Sequence, residues 1–167
     1  SCRFREMDAV HGFTPLIAAH ALAASLALLL GPVNIFRRRR DTAHRIIGYG
    51  WVAMMVLTCL TSFGIYPDGF SWLHGLAAYT LFSVGAGIWS VLHGNRIAHR
   101  YNMIGAYLGT LIAFGFAAFI PSRRIAQFAV NDPASLALIA VLLVAAAGGF
   151  VLAVLKRPKV GPATPQS

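Results

Sequence analysis

Four histidines occupy matched positions in two parts of this 167-residue chain. His20 begins the segment His-Ala-Leu-Ala-Ala, and His74 begins the similar segment His-Gly-Leu-Ala-Ala. Each segment is followed 24 or 25 residues later by a His-Arg pair, His44-Arg45 in the first copy and His99-Arg100 in the second. Two neutral imidazoles on opposing helices can fill both axial positions of a haem iron. The pattern therefore raises the hypothesis of two haem-binding pairs.

In this hypothesis the ligand pairs are His20 with His74 and His44 with His99, and the haem is of the b type. Arg45 and Arg100 would pair with the haem propionates. Small residues at helical spacing would leave room for the porphyrin: Ala24, Ala27, Ala78 and Gly85. The spacing resembles that of dihaem transmembrane cytochromes, in which alternate helices of a four-helix core supply the ligands. That resemblance covers only the first four apolar segments, and His44 and His99 are closer to the helix ends than a buried haem favours.

A structural interpretation competes with haem. His20 and His74 would then form hydrogen bonds between helices, which contribute about 0.6 kcal/mol each in membranes. The two His-Arg pairs would anchor to anionic lipid headgroups. A quinone site or a zinc or copper ion is a further alternative, although no carboxylate or thiolate joins the four histidines. We expect His11 and His93 to lie at the membrane interface.

The composition identifies the surroundings of these histidines as a lipid bilayer. Apolar residues make up 57% of the chain and charged residues only 11%, whereas a soluble domain carries about 25% charged residues. The net charge of +9 is spread over short tracts between apolar segments. Such tracts contact lipid headgroups, so the basic character does not indicate a nucleic-acid partner.

Five apolar segments are long enough to cross about 30 Å of hydrocarbon as helices. We place them at residues 13–35, 46–65, 71–92, 101–120 and 136–155. Gly31-Pro32 is expected to end or kink the first helix, and Asp41 to cap the second. Tyr66-Pro67-Asp68-Gly69 has the chemistry of a tight turn.

The matched histidines suggest that two hairpins, residues 13–65 and 71–120, are parallel repeats. The predicted fold is all-α and integral to the membrane, with a pseudo-symmetric four-helix bundle plus one C-terminal helix. Helix one would face helix three, and helix two would face helix four. Residues 1–12 and 121–135 would be external, and residues 156–167 a cytoplasmic tail. Two small-residue pairs, Gly105-x-x-x-Gly109 and Ala145-x-x-x-Gly149, favour close helix packing.

Ten basic residues fall on one predicted side of the membrane: Arg37 to Arg40, Arg45, Arg96, Arg100, Lys156, Arg157 and Lys159. Four fall on the other: Arg3, Arg5, Arg123 and Arg124. The positive-inside rule places the first group in the cytoplasm, with the N-terminus outside. We expect a multi-pass protein of the bacterial inner membrane.

A family resemblance joins several of these features. The residues that carry it are His20, His44-Arg45, Gly48, Ser62, Phe70-Ser71, His74, His99-Arg100, Met103 and Pro121-x-Arg123. Across roughly residues 13 to 125 the chain resembles a bacterial family of predicted multi-pass membrane proteins of unknown function. The resemblance implies the architecture and the importance of the histidines, and it implies no activity.

The sequence favours a protein without enzymatic activity of its own, because no catalytic motif is recognised. The first functional hypothesis is an accessory or structural subunit of a larger membrane complex, with membrane lipids and other subunits as partners. The alternatives are the dihaem electron-transfer protein, and a quinone-binding protein or carrier. All five acidic residues lie outside the apolar segments, which disfavours proton-coupled transport.

Overall fold

A computed structural model of the protein describes residues 15–65, 71–119 and 130–156. These residues form five long helices: α1 (Pro15–Phe36), α2 (Thr42–Phe63), α3 (Trp72–Leu92), α4 (Arg96–Phe119) and α5 (Pro133–Leu155). Each is long and apolar enough to span a membrane. The five predicted spans are confirmed, and α2, α4 and α5 begin a few residues before their predicted starts.

Polar caps explain two of these earlier starts. Asp41 accepts a hydrogen bond from the backbone N–H of His44 at 3.1 Å, which confirms its predicted role at the start of α2. Asp132 accepts from the backbone N–H of Ser135 at 3.2 Å, and Pro133 occupies the first turn of α5. Both caps satisfy backbone donors that have no partner within the helix. The predicted turn at 66–69 and the basic residues at 123–124 lie outside the described residues.

The first four helices form a ring. Contacts join α1 to α2, α2 to α3, α3 to α4 and α4 back to α1, so that α1 lies diagonally opposite α3 and α2 opposite α4. Helix α5 packs outside the ring against α1 and α2. The described part of the chain therefore has the predicted arrangement of a four-helix bundle with one added helix.

Glycines bring α3 and α4 close together. A Cβ added at Gly109 would lie 2.8 Å from Oγ1 of Thr80, and one at Gly105 would lie 3.2 Å from the hydroxyl oxygen of Tyr79. Gly87 of α3 leaves room in the same way for Met103 of α4. The predicted packing role of Gly105-x-x-x-Gly109 is thus confirmed.

Of the two outcomes expected at Pro32, an end or a kink of α1, the first does not occur. The helix does not end there but continues to Phe36. Proline has no N–H, so the carbonyl of Leu28, four residues earlier, loses its normal partner within the helix. In lipid such a group must be satisfied by another protein group.

Side chains from α2 and α4 donate hydrogen bonds to backbone carbonyls of α1 near Pro32. The Tyr107 hydroxyl donates to the Leu28 carbonyl oxygen at 3.4 Å. The buried indole N–H of Trp51 donates to the neighbouring Ala27 carbonyl oxygen at 3.0 Å. Gly31 makes this possible, because a Cβ there would lie 2.5 Å from the Tyr107 ring and 3.0 Å from the indole nitrogen.

Replacing Gly31 with leucine should destabilise the bundle. The new side chain would displace the rings of Tyr107 and Trp51, and overpacking of this kind costs about 1–3 kcal/mol. The matched control is Gly115→Leu in α4, because an added Cβ there meets nothing within 4 Å. Thermal unfolding in detergent should show a lower Tm for Gly31→Leu alone, and an equal loss in both variants would contradict this account.

Candidate functional site

His20 connects α1 to the C-terminal end of α2. Its Nδ1–H donates to the carbonyl oxygen of Thr58 at 3.1 Å and lies 3.0 Å from Oγ1 of Thr61. The Thr61 hydroxyl itself donates to the Leu57 carbonyl oxygen at 2.7 Å, so its oxygen can accept from the imidazole. In the neutral ring, a proton on Nδ1 leaves a lone pair on Nε2.

His74 has the opposite arrangement. It lies in the first turn of α3, is 5% exposed, and its Nδ1 accepts the backbone N–H of Ser71 at 3.1 Å. This contact caps the start of the helix in the manner of a capping box. Its ring also lies 6.1 Å from the ring of Phe63 in α2. Since Nδ1 is the acceptor, Nε2 carries the proton in neutral His74.

His20 and His74 therefore lie at the same end of the bundle but are not equivalent. They belong to the diagonal helices α1 and α3, and each approaches the last turn of α2, at Thr61 and Phe63 respectively. A bis-histidine haem needs a lone pair from each ring. In this arrangement only His20 offers one from Nε2, so this pair does not fit a haem without loss of the Ser71 contact. The pairing of His20 with His74 stays a prediction.

His44 and His99 lie at the other end, in the first turns of the diagonal helices α2 and α4. An arginine covers His44, with Nη1 of Arg40 3.3 Å from Nδ1 and 3.4 Å from Nε2. His99 instead directs Nδ1–H to the carbonyl oxygen of Gly87 in α3, at 2.9 Å. His44 and His99 thus lie at the same end of the bundle, and their pairing stays a prediction.

The arginines of the two His-Arg pairs, Arg45 and Arg100, are exposed, whereas His44 and His99 are half-buried. Neither guanidinium group forms a hydrogen bond or an ion pair within the described residues. Their predicted pairing with propionates stays a prediction. His93 is exposed and stacks on Trp89 with the ring centroids 4.2 Å apart, and His11 lies outside the described residues.

Asn34 is a site residue that the sequence analysis missed. Its side-chain amide donates to the His44 carbonyl oxygen at 3.2 Å and lies beside Gly48. Its Oδ1 is buried and has no hydrogen-bond partner within the described residues. A polar amide in the last turn of a mostly apolar helix was the available signal.

The remaining candidate chemistry is sparse. No group of three or more His, Cys, Asp or Glu residues within the described ranges could hold a metal ion. Cys59 is a free, buried thiol in α2. The two acidic residues in the described ranges, Asp41 and Asp132, both cap helices from outside the spans.

Asp41 forms an ion pair with Arg37 in the connection between α1 and α2. The guanidinium of Arg37 contacts both carboxylate oxygens, at 2.8 and 3.0 Å from Nη2. These hydrogen bonds, together with the one from the His44 backbone, lower the pKa of the Asp41 carboxyl below its usual range. A carboxyl whose pKa is lowered by folding stabilises the folded state above its unfolded pKa. That contribution is lost as the pH falls through the lowered pKa.

Comparison with known proteins places the chain in a protein family. Residues 17–156 match a family model described as "Predicted membrane protein (DUF2306)". No curated protein and no solved structure matches the chain.

Arg37→Gln should weaken the acid dependence of stability, because it removes the main cause of the lowered Asp41 pKa. The Tm of wild type in detergent should fall as the pH drops below about 4, where carboxyls begin to protonate. In Arg37→Gln the fall should begin at the same pH but end at a higher pH and be smaller, by a few degrees at most for an exposed ion pair. The control is Arg38→Gln, since Arg38 forms no ion pair within the described residues. A matching change in that control would contradict the assignment to the Arg37 contact.

Proposed function

The chain belongs to this family of predicted membrane proteins, and from that starting point we propose that it is an accessory subunit of a larger membrane complex. In this proposal it resides in the bacterial inner membrane, has no enzymatic activity of its own, and contacts other subunits through lipid-facing helix surfaces. The N-terminus is outside, and the C-terminus and the basic residues of the α1–α2 connection face the cytoplasm. The positive-inside rule supports this orientation.

The observation that carries the proposal is the outer face of α5, defined by Leu138, Leu142, Ala145, Gly149 and Leu152. These residues recur at spacings of three and four, so they lie on one side of the helix. All five are exposed. An added Cβ at Gly149 meets nothing within 4 Å. The small-residue pair predicted for helix packing is therefore not used for packing within the described chain.

A glycine that makes no close packing contact destabilises its helix. Glycine is less favourable than alanine in a helix interior by about 1 kcal/mol, and contact with lipid chains gives no compensating gain. A second helix can gain from it, because small residues allow close backbone approach and van der Waals packing. Helix α5 is also the least buried of the five spans, with 11% of its most apolar window buried. These properties favour a partner helix on this face.

Replacing Gly149 with leucine should release the partner. The tagged full chain, expressed in a bacterial membrane and extracted in mild detergent, should migrate on native gels well above the 17.9 kDa of one chain plus its detergent. We expect Gly149→Leu to lose most of the co-purifying subunit, at least tenfold by quantitative mass spectrometry. Loss of the close helix contact is the physical reason.

The matched control is Gly115→Leu, which places the same side chain in open space on α4. It should retain the partner. Monomeric wild-type protein, assembly only with copies of itself, or equal loss of the partner in both variants would contradict the proposal.

The second candidate is the dihaem protein, and one observation favours it. The Nδ1–H groups of His20 and His99 are fixed by backbone carbonyls, as metal-ligating histidines commonly are. The Ser71 contact of His74 counts against the His20–His74 pair. No comparable observation favours a quinone site or a carrier.

An absorption spectrum separates the two candidates. The accessory-subunit proposal expects no Soret band in protein purified with haem supplied during expression. If haem is bound by the predicted pairs, His20→Ala or His74→Ala should remove one centre and leave the other. Loss of both centres, or of neither, would contradict the predicted pairing.

A further inference from the structure

Charge is strongly asymmetric along the bundle. Every Lys and Arg in the described ranges lies at the end where α1, α3 and α5 finish and α2 and α4 begin, here called the basic end: Arg37 to Arg40, Arg45, Arg96, Arg100 and Lys156. The carboxylate described at this end, Asp41, is engaged by Arg37. The described residues thus leave a large positive surplus there, which attracts anionic lipid headgroups.

An apolar groove runs along the outside of the bundle toward this end. It lies between α1 and α5 and has a volume of about 220 Å³. Its lining residues are all apolar: Leu29, Leu30, Val33, Val144, Ala147, Gly148 and Val151. Gly148 has no side chain to occupy the groove, and an added Cβ there would lie in open space, with nothing within 4 Å.

The groove and the positive charge are adjacent. The last helical residues, Phe36 of α1 and Leu155 of α5, lie three and four residues beyond Val33 and Val151, which is about 4.5 and 6 Å along the helix axes. Arg38 and Lys156 follow these helix ends within two residues. Arg38 and Lys156 are exposed, and their side chains form no hydrogen bond or ion pair within the described residues. Two cationic side chains are therefore available at the level where the groove reaches the basic end.

We propose that the α1–α5 groove binds one acyl chain of an anionic phospholipid, whose phosphate is held by Arg38 and Lys156. The groove is too small for a helix, whose diameter is about 10 Å. It has no polar lining group to orient a quinone carbonyl. A zwitterionic lipid would bring its own cation to an end that already has excess positive charge. An anionic lipid matches both the apolar and the charged part of the site.

Native mass spectrometry of the full chain in detergent tests the proposal, with phosphatidylglycerol and phosphatidylcholine of identical acyl chains as probes. Wild type should retain phosphatidylglycerol preferentially. Arg38→Gln with Lys156→Gln should weaken that binding about thirtyfold, since each basic residue near an anionic surface contributes roughly a factor of five. Gly148→Leu should also weaken it at least tenfold by filling the groove, whereas Gly115→Leu should leave it unchanged.

Val144→Phe provides a second way to obstruct the groove if Gly148→Leu does not fold, because Val144 is 56% exposed at the groove edge. Equal retention of the two lipids would overturn the proposal. Sensitivity to the charge variant without sensitivity to either groove variant would indicate headgroup attraction alone and would also overturn it. The partner experiment uses Gly149 on a different face of α5, so the two proposals can fail independently.

Discussion

The bundle depends on satisfying one backbone carbonyl of α1, that of Leu28, in a medium that offers no water. Pro32 leaves the Leu28 carbonyl without its partner within the helix, and the adjacent Ala27 carbonyl receives the indole N–H of Trp51. The donor to the Leu28 carbonyl comes from α4, and α2 adds a donor to the Ala27 carbonyl, so this part of α1 is hydrogen-bonded to both neighbours. This arrangement requires glycine at position 31, because any side chain there would push the rings of Tyr107 and Trp51 away from the α1 backbone.

Three of the histidines also form hydrogen bonds with backbone groups. His20 donates across to α2, His99 donates across to α3, and His74 accepts at the start of its own helix. Matched sequence positions therefore do not produce matched chemistry. The same imidazole can be donor or acceptor according to its neighbour, and Ser71 has no counterpart beside His20. A function that uses His20 and His74 as an equivalent pair would require His74 to give up its contact with Ser71 and move its proton from Nε2 to Nδ1.

Sequence alone was sufficient for the five spans, the Asp41 cap and the glycine contact between α3 and α4, because apolar length, capping chemistry and small-residue spacing are local signals. It left open whether Pro32 ends or kinks α1, and the helix does not end there; the compensating donor, Tyr107, lies far away in sequence. It also missed Asn34, whose importance depends on the approach of His44 from the next helix. The sequence did not predict the hydrogen bonds from side chains of one helix to the backbone of another.

The distance along the chain between Leu28 and Tyr107, 79 residues, has a consequence for synthesis. When α1 first enters the membrane, the tyrosine that completes its hydrogen bonding has not yet been translated. The first hairpin must therefore wait in an incompletely bonded state until α4 arrives. The order of insertion makes the early chain dependent on water, on the insertion machinery or on a neighbouring protein during that interval.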